Sequence, residues 1–471
     1  MIDKGKNRAP NIAWEMNGIQ PGDPMCALLR RAPAETSDDA VVAELEDLAR
    51  PLDGPAHLDP LIEAIGDAKY VLLGEATHGT SEFYTWRTEF TRALVREKNF
   101  SFVAVEGDWP DSYRVNRYVK GREGESAEKV LHAFERWPTW MWANREVVQL
   151  IRWMRAHNDR SLDDRKVGFY GLDVYSLWES MHAVIEYLEK VDPNAVSGAR
   201  RAYSCFEPYN EDAQEYARAT ALVPTSCQAE AVAALVELRS KAEDYKDKGD
   251  PESYFNAEQN ALVAKNAELY YRTMIRGGPT SWNVRDHHMM ETLDRLMQHH
   301  GPYAKAIVWE HNTHVGDARF TDMARAGMVN VGQLARQNHE KDGVWLIGFG
   351  TYKGGVIAGR EWGAPMERMR VPEARQGSYE AAMHSAVGRD SMFIFRDEDD
   401  EATLRLREPR GNRAIGVVYD PRSERWGNYV PTVLPQRYDA FIYIEETKPV
   451  DPLHMPAVID GEVPETYPTG Q

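Results

Sequence analysis

A strand–helix–strand pattern early in the chain constrains the fold more than any other feature of the sequence. The apolar run YVLLGE (70–75) precedes an amphipathic stretch, SEFYTWRTEFTRALVRE (81–97), and a second apolar run, FSFVAVEGDW (100–109), follows it. Two strands joined by a helix of this length lie parallel in one sheet, with a right-handed crossover. The pattern predicts an α/β fold with a mostly parallel sheet flanked by helices.

Similar apolar runs recur along the chain and extend the predicted sheet. Further strands are predicted at 167–174, 306–312, 344–350, 391–396, 414–420 and 438–446. Between about 112 and 300 the periodicity is mainly helical, with long helices predicted at 145–157, 177–191, 229–246 and 257–275. Because these helices exceed what the crossovers of one sheet require, we expect an inserted helical subdomain.

The order of these elements predicts five segments. They are an N-terminal extension (1–55), the first part of the α/β core (56–120), a largely helical subdomain (121–300) with one core strand near 167–174, the remainder of the core (301–450) and a C-terminal tail (451–471).

The charge balance narrows the class of partner. The 471 residues include 74 Asp and Glu but only 56 Lys and Arg, which gives a formal net charge of −18 at pH 7. A strongly negative net charge repels the phosphate backbones of nucleic acids and the headgroups of anionic lipids. It therefore disfavours nucleic-acid and membrane-surface binding, and it favours a neutral or cationic small-molecule partner.

Cysteine content and hydropathy indicate the compartment. The three cysteines, Cys26, Cys205 and Cys227, are too few for a disulfide framework, and the amino terminus shows no apolar signal-peptide region. The apolar runs are far shorter than the roughly 20 residues that cross a bilayer. We therefore expect a cytoplasmic protein with reduced cysteines.

Ionisable residues follow three of the predicted strands at the point where each ends. Glu75 and His78 follow the first strand, Glu106 ends the second, and the later strand leads into the segment Glu310-His311-Asn312-Thr313-His314. In open α/β sheets, ligands bind in the crevice outside the carboxyl ends of the strands. One such acid alone is more often a helix N-cap or a solvated loop residue, but three together predict a single cleft.

Arg87 occupies a position where the first amphipathic helix should bury an apolar side chain. At 100° per residue it lies within the apolar stripe that runs from Phe83 to Leu94. A buried guanidinium needs a carboxylate partner, and Glu75 and Glu106 are the nearest in sequence. The alternative is an arginine that crosses the stripe with its charge in solvent. The functional interpretation is a buried Arg–Glu pair that fixes the site and offers donors to an oxyanion.

Several catalytic motifs are absent from the sequence. It contains no G-x-S-x-G elbow, no G-x-x-x-x-G-K-[ST] phosphate loop and no H-E-x-x-H helix. What remains is histidine and carboxylate chemistry, in which a histidine general base activates water. The alternative is a catalytic metal held by the spacings Glu75-x-x-His78 and His311-x-x-His314.

The stretch ERWPTWMWANRE (135–146) is rich in tryptophan. Core packing is the ordinary interpretation of Trp137, Trp140 and Trp142. The functional interpretation is an apolar wall of the substrate cleft, because ligand pockets are lined by aromatic side chains with few polar groups.

Several of these segments resemble the sequence blocks of the erythromycin esterase family. They are GEATHGTSEFYTWR (74–87), VAVEGDW (103–109), FERWPTWMWANRE (134–146), NVRDHHM (283–289), WEHNTHVGDAR (309–319) and GNYVPTVLPQRYDAFIYIEET (427–447). The resemblance runs in order over most of the chain. It implies an α/β fold with a helical portion, and hydrolysis of the macrolactone ring of erythromycin.

The resemblance also implies roles for individual residues. His78 matches the general base and Glu75 its partner, and the other active-site positions of the family are matched by Arg87, Glu106, His311 and His314. For substrate binding we predict Arg285, from the NVRDHHM block, together with Trp109, Trp140 and Trp142.

Three functions stay open at this point. The favoured one is hydrolysis of a carboxylic ester, with a cationic macrolide lactone as the favoured substrate and without a serine nucleophile, a cofactor or a metal. In this hypothesis Arg87 or a protonated histidine of the pair His311 and His314 stabilises the oxyanion. The alternatives are a metal-dependent hydrolase that uses the same residues, and a non-catalytic protein that binds a small molecule.

Overall fold

The computed structural model describes residues 38–209, 212–222, 226–248, 250–275, 278–396 and 403–453. Most of the predicted N-terminal extension, with Cys26, and most of the predicted C-terminal tail lie outside the described residues. The division of the chain into five segments stays a prediction.

A nine-stranded sheet forms the centre of the described chain. Its strands are β1 (Arg50–Pro51), β2 (Tyr70–Leu73), β3 (Phe102–Asp108), β4 (Gly168–Asp173), β5 (Ala306–Trp309), β6 (Val344–Ala358), β7 (Glu367–Val371), β8 (Ser391–Ile394) and β11 (Ala440–Thr447). A separate antiparallel pair consists of β9 (Arg410–Arg413) and β10 (Tyr429–Thr432).

The strand order explains how distant parts of the sequence meet. It is β1-β8-β11-β6-β2-β5-β3-β4, with β7 paired to β6. The strands from β11 to β4 are parallel, whereas β1, β7 and β8 pair antiparallel with their neighbours. The two strands of the early strand–helix–strand unit, β2 and β3, are parallel as expected, but β5 lies between them.

Helices surround the sheet. They are α1 (Asp38–Leu48), α2 (Asp59–Ile65), α3 (Ser81–Lys98), α4 (Trp109–Val119), α5 (Ala127–Leu131), α6 (Arg145–Asn158), α7 (Leu177–Val191), α8 (Val196–Tyr203), α9 (Ala213–Leu222), α10 (Gln228–Ser240), α11 (Ala242–Lys248), α12 (Pro251–Met274), α13 (Pro279–His300), α14 (Asn312–Val315), α15 (Val331–His339), α16 (Tyr379–Ala386), α17 (Glu424–Gly427) and α18 (Leu434–Arg437). Within the described ranges, none of these helices combines the length and the apolar character that a membrane span needs.

Alternate side chains of the parallel strands pack on opposite faces of the sheet. On one face Val71 and Leu73 contact an apolar cluster that includes α3 and α6. On the other face Tyr70 and Leu72 belong to a cluster that includes α13 and α15. A strand covered on both faces buries every side chain, which explains why these strands are continuous apolar runs in the sequence.

A third apolar cluster belongs to a helical region of its own. It extends from Val174 to Met274 and buries apolar side chains of α7 to α12. The long helix α12 packs against α7, α9 and α10 within this region and against α13 at its border. The predicted fold class, a mostly parallel sheet flanked by helices with an inserted helical subdomain, is confirmed.

The helical region also contains a disulfide that the sequence analysis did not expect. Cys205 and Cys227 are joined, with their Cα atoms 5.8 Å apart. One cysteine lies in the 3₁₀ segment Ser204–Tyr209 and the other directly precedes α10. The prediction of reduced cysteines is wrong for this pair, because helix packing brings together two residues that no sequence motif connects.

The predicted strand at 414–420 is also wrong. This segment forms only isolated bridges, from Ile415 to Thr77 and from Val418 to Gly359. Thr77 follows β2 and Gly359 follows β6, so the segment runs beside the continuations of these strands and adds no strand to the sheet. Its side chains Ile415 and Tyr419 pack in an apolar cluster with side chains of β6 and β7.

Candidate active site

A cleft lies at the carboxyl ends of the central strands. Its polar lining includes Glu106 from β3, Asp173 from β4, His78 from the loop after β2, and His311 and His314 from the segment after β5. The cleft is therefore where the ligand site of an open parallel sheet is expected.

The loops that follow β2 and β5 are joined behind the cleft. The Asn312 backbone N–H donates to the Glu75 carbonyl at 2.8 Å, and the Asn312 side-chain amide donates to the Phe349 carbonyl of β6 at 2.6 Å. A Cβ atom on Gly74 would come within 2.2 Å of Asn312 Oδ1. Glycine at position 74 therefore lets the loops that position His78 and His311 approach each other.

His78 is oriented by a buried carboxylate. Its Nδ1 lies 2.8 Å from Oε1 of Glu75, which is 1% exposed. An ionised carboxylate accepts and does not donate, so the neutral imidazole carries its proton on Nδ1. The lone pair is then on Nε2, and His78 lines the cleft. This is the tautomer that a general base requires.

Glu75 is in turn paired with Arg87, as the position of Arg87 in the apolar stripe of α3 predicts. Arg87 Nη2 donates to Glu75 Oε2, and the arginine is fully buried. The guanidinium lies between two aromatic rings, 4.5 Å from the centroid of Tyr84 and 4.6 Å from that of Trp309. Arg87 does not line the cleft. It therefore supports Glu75 and offers no donor to a bound substrate.

His311 presents the complementary group. Its Nδ1 accepts from the backbone N–H of Thr313 at 3.3 Å and lies 2.8 Å from the Thr313 hydroxyl, so the proton of the neutral ring is on Nε2. Nε2 is buried and makes no hydrogen bond of normal geometry within the described residues, although the backbone of Ala76 lies close enough to act on the ring. The rings of His311 and His78 are 4.8 Å apart. A proton acceptor and a proton donor therefore lie side by side in the cleft.

Glu106 and Arg285 form a network beneath the two histidines. Arg285 donates from Nη2 to Glu106 Oε1 at 2.8 Å, and from Nε and Nη2 to the two carboxylate oxygens of Asp173 at 2.9 and 2.8 Å. The second oxygen of Glu106 accepts from the His311 backbone N–H at 2.8 Å. These bonds connect the ends of β3, β4 and β5 and fix the backbone from which His311 projects.

Helix α13 holds His314 from three sides. Its Trp282 ring stacks on the imidazole at 4.5 Å, its Asp286 lies 2.9 Å from Nδ1, and its Arg285 lies 2.9 Å from Nε2. Residues spaced by three and four positions share one face of a helix, which is why these three side chains converge. Both ring nitrogens of His314 are thus engaged by protein groups.

The charges of the network set the protonation states of the site. Burial by itself lowers the pKa of His78, but the charge of Glu106 and the hydrogen bond with Glu75 outweigh it and raise that pKa above its usual value. Burial and the neighbouring His78 hold the pKa of His311 well below the usual range. His311 is therefore neutral, while His78 has the greater tendency to accept a proton.

Glu106 and Glu310 differ in charge although both lie near the carboxyl end of a strand. Burial alone raises the pKa of Glu106, but His314, His78 and Arg285 outweigh it, so that this pKa is strongly lowered and the group is ionised. Burial and the charges of Glu106 and Asp286 hold the pKa of Glu310 well above its usual range. Glu310 is therefore a neutral acid; it does not line the cleft, and neither of its carboxyl oxygens has a hydrogen-bond partner among the described residues.

Not all of the residues predicted for the site face the cleft. His78, Glu106, Arg285, His311, His314 and Trp142 line it, and Glu75 and Arg87 lie behind His78. Trp109 and Trp140 do not line it: Trp109 is buried, stacks on Tyr170 and donates to Asn256 Oδ1 at 2.8 Å, and Trp140 is fully buried. Trp142 donates to the Glu106 carbonyl at 3.0 Å.

Other residues of the site were not predicted from the sequence. Asp108 and Asp173 are the last residues of β3 and β4, so the strand-end signal that identified Glu106 was present for both. Trp282 lies three residues before Arg285 on α13, and Asp286, which directly follows Arg285, lies behind His314. The lining also includes Asp111, Phe134, Arg136, Tyr175 and Trp362, to which no role was assigned.

The metal alternative lacks a ligand set in the described part of the chain. No group of three or more His, Cys, Asp or Glu side chains is arranged there to hold a metal ion. The spacings Glu75-x-x-His78 and His311-x-x-His314 place their side chains in hydrogen bonds to one another and to neighbouring residues instead.

The sequence model of the erythromycin esterase family matches residues 95–447. The chain belongs to the erythromycin esterase family. Its relatives include an erythromycin esterase type II of Escherichia coli, 22% identical over 372 residues that cover 74% of this chain and 85% of that protein. A Bacillus subtilis (strain 168) protein, YbfO, whose name assigns it provisionally to the hydrolases, is 20% identical and covers 86% of this chain and 90% of its own length. Family membership indicates an esterase or related hydrolase that acts on a small molecule.

Solved structures of similar proteins support the fold. A succinoglycan biosynthesis protein superposes with a TM-score of 0.74 at 22% identity, covering 89% of this chain and 100% of its own. A Bacillus cereus protein gives a TM-score of 0.74 at 20% identity, covering 89% and 99%. A variant of an erythromycin esterase in its open conformation gives a TM-score of 0.60 at 17% identity, covering 84% and 94%. These three solved structures thus share the overall fold of this chain.

Proposed function

We propose that this protein hydrolyses a carboxylic ester, with a macrolide lactone as the substrate, by general-base activation of water. The observation that carries the proposal is the pairing of His78 and His311 in the cleft. His78 has its Nδ1 held by Glu75 and its Nε2 free for a water molecule, and the Nε2–H of His311 has no protein partner of normal geometry in the described residues. A base and a neutral hydrogen-bond donor at this spacing fit the needs of ester hydrolysis.

The reaction follows from this arrangement. Neutral His78 takes a proton from water at Nε2, and the hydroxide attacks the ester carbonyl carbon. The oxyanion of the tetrahedral intermediate accepts a hydrogen bond from His311 Nε2–H. When the intermediate collapses, the carbon–oxygen bond to the leaving alcohol breaks and the alkoxide takes the proton from His78. A lactone and one water give a hydroxy acid, and the enzyme returns to its starting state.

The remaining charged residues support these two histidines. Glu75 favours the protonated form of His78 that arises in the transition state, and Arg87 compensates the charge of Glu75. Glu106 acts on His78 by its charge and holds the His311 backbone. The sequence suggested Arg87 or a charged histidine of the 311/314 pair as the oxyanion donor. We assign this role to His311, because Arg87 is outside the cleft and both nitrogens of His314 are engaged.

The decisive experiment compares two identical substitutions. We expect His78→Asn to reduce hydrolysis of erythromycin by about 10²–10⁴-fold, with an unchanged melting temperature. His287→Asn is the control, because His287 is exposed on α13 and outside the cleft. Hydrolysis is read by mass spectrometry as the gain of one water, over a panel of macrolides and simple esters. Wild-type turnover by His78→Asn would refute the role of His78.

The same assay distinguishes the alternatives. After treatment with a chelator we expect full activity. A loss that is restored by one added metal would favour the metal-dependent hydrolase instead. Thermal stabilisation by macrolides without any hydrolysis would favour the non-catalytic binding protein.

A further inference from the structure

The two neighbouring histidines of the cleft have opposite kinds of partner on Nδ1. The Nδ1 of His78 lies against the carboxylate of Glu75, which only accepts hydrogen bonds. The Nδ1 of His311 lies against the hydroxyl and the backbone N–H of Thr313, at 2.8 and 3.3 Å. The partner of one ring nitrogen determines which nitrogen carries the proton, so these partners give the two rings opposite roles.

The hydroxyl of Thr313 is the donor in its contact with His311. Because Nδ1 already accepts from the Thr313 backbone N–H, it carries no proton and can only accept from the hydroxyl as well. Thr313 is buried, and among the described residues its hydroxyl makes this one hydrogen bond. A buried hydroxyl whose proton has no acceptor is costly, so this proton is committed to His311.

Other elements hold the segment that contains both residues. The Thr313 carbonyl accepts from Asn330 Nδ2 at 2.7 Å, and Asn330 is the N-cap of α15. Two residues earlier, the His311 backbone N–H donates to Glu106 Oε2 at 2.8 Å. The hydroxyl therefore meets the imidazole from a fixed direction.

Two donors on Nδ1 determine what the other ring nitrogen can do. They disfavour a protonated ring, because protonation would place a proton on Nδ1 against both donors. They also strengthen Nε2–H as a donor, because hydrogen bonds in series polarise one another. His311 and Thr313 both line the cleft, and Nε2 has no partner of normal geometry in the part of the chain that is described. The ring can thus donate to an oxygen of a molecule in the cleft.

We propose that Thr313 is a positioning residue, whose hydroxyl keeps His311 neutral and its Nε2–H directed at the carbonyl oxygen of the ester. The inference deepens the proposed function and rests on it for the reaction itself. Without the hydroxyl, Nδ1 keeps only the longer contact with the backbone N–H, and the ring gains freedom to turn about its Cβ–Cγ bond. The oxyanion then meets a donor that is weaker and less well aligned.

A threonine-to-valine substitution isolates the hydroxyl. Valine keeps the branched shape and the backbone N–H of residue 313 and removes the side-chain donor to His311. On the ester of the panel that the wild type hydrolyses fastest, we expect Thr313→Val to lower kcat about tenfold with KM unchanged. Thr313→Ser returns the hydroxyl and should recover kcat to within about twofold of the wild type. Thr85→Val is the matched control, because Thr85 is exposed on α3 and outside the cleft.

Nitrogen NMR measures the same contact without any reaction. In the full chain labelled with ¹⁵N-histidine, the resonances of His311 are assigned by their loss in His311→Asn. We expect a proton on Nε2 and none on Nδ1 in the wild type. Loss of a hydrogen bond to an unprotonated ring nitrogen changes its chemical shift, so the Nδ1 resonance should move in Thr313→Val and return in Thr313→Ser. Thr85→Val should leave this resonance in place.

The outcomes separate this inference from the proposed function. Wild-type kcat in Thr313→Val would overturn the inference, and so would equal losses in Thr313→Val and Thr313→Ser, because the hydroxyl would then not be the responsible group. A proton on Nδ1 of His311 in the wild type would also overturn it, and this measurement decides even if Thr313→Val fails to fold. If the wild type hydrolyses no ester, the proposed function fails, and the NMR comparison alone decides whether Thr313 holds the ring.

Discussion

The buried pair of Arg87 and Glu75 makes a quantitative prediction about stability. The two side chains are 0% and 1% exposed. Removal of one partner from a buried pair leaves an uncompensated charge and costs about 3–5 kcal/mol. In Arg87→Met, Glu75 keeps its hydrogen bond with His78, so we expect a loss near the lower limit, about 3 kcal/mol. The methionine keeps the apolar contacts between Tyr84 and Trp309, which limits any loss from packing.

The double variant Arg87→Met/Glu75→Gln should recover most of this loss. Glutamine keeps an acceptor for the His78 Nδ1–H, and no unpaired charge is left buried at the pair. We expect a total loss of about 1 kcal/mol, and hence a coupling energy of several kcal/mol from a double-mutant cycle. Glu75→Gln alone should cost as much as Arg87→Met or more, because it leaves the guanidinium without a carboxylate.

Urea denaturation of the four proteins measures the cycle. The exposed pair Arg360–Glu367, whose side chains are 56% and 44% exposed, is the matched control, and the same substitutions there should give a much smaller coupling because solvent screens the two charges. A loss below about 1 kcal/mol for Arg87→Met would refute our reasoning. So would a double variant that is destabilised by the sum of the single changes, because the two charges would then not depend on each other.

Two further predictions concern the electrostatics and the packing of the site. Neutral His78 is the active form and the charge of Glu106 raises its pKa, so kcat/KM should fall as the pH decreases, along a limb centred above pH 6.5. Glu106→Gln should move this limb to lower pH. A pH–rate profile in which the limb does not move would contradict the role of Glu106. A Cβ at Gly332 would lie 1.8 Å from the Val315 carbonyl, so Gly332→Ala should destabilise the protein by at least about 1–3 kcal/mol in thermal or urea denaturation. Gly54→Ala, where nothing lies within 4 Å, should have little effect, and equal losses for the two would show that the contact at Gly332 is unimportant.

Much of the fold and part of the site could be predicted because the responsible signals are local. Strands buried on both faces are continuous apolar runs, and the acids that follow them mark the edge where ligands bind. Arg87 was predictable because a charge in an apolar stripe needs a partner nearby. The segment at 414–420 was mispredicted because an apolar run that packs against the side chains of β6 and β7 has the same composition as a strand.

The residues of the site that were not predicted depend on how helices and strands pack in three dimensions, which the local sequence does not determine. Trp109 begins α4 and Trp142 lies shortly before α6, and both are buried, yet only Trp142 lines the cleft. Arg87 and Glu75 were predictable as a pair, but their place behind His78 depends on how α3 packs on the sheet. Trp282 and Asp286 are ordinary helix residues until α13 lies against His314.

The position of β5 between β2 and β3 has a consequence for the synthesis of the chain. The two early strands cannot complete their pairing until β5 emerges from the ribosome, roughly 200 residues after β3, which is on the order of 10–40 s at common translation rates. During this interval β2 lacks both of its partners, β5 and β6, and β3 lacks β5, so edges of both strands stay unpaired while the intervening helices are made. A chain that stops before β5 should therefore aggregate more readily than the full chain, because unpaired strand edges are templates for pairing with other chains.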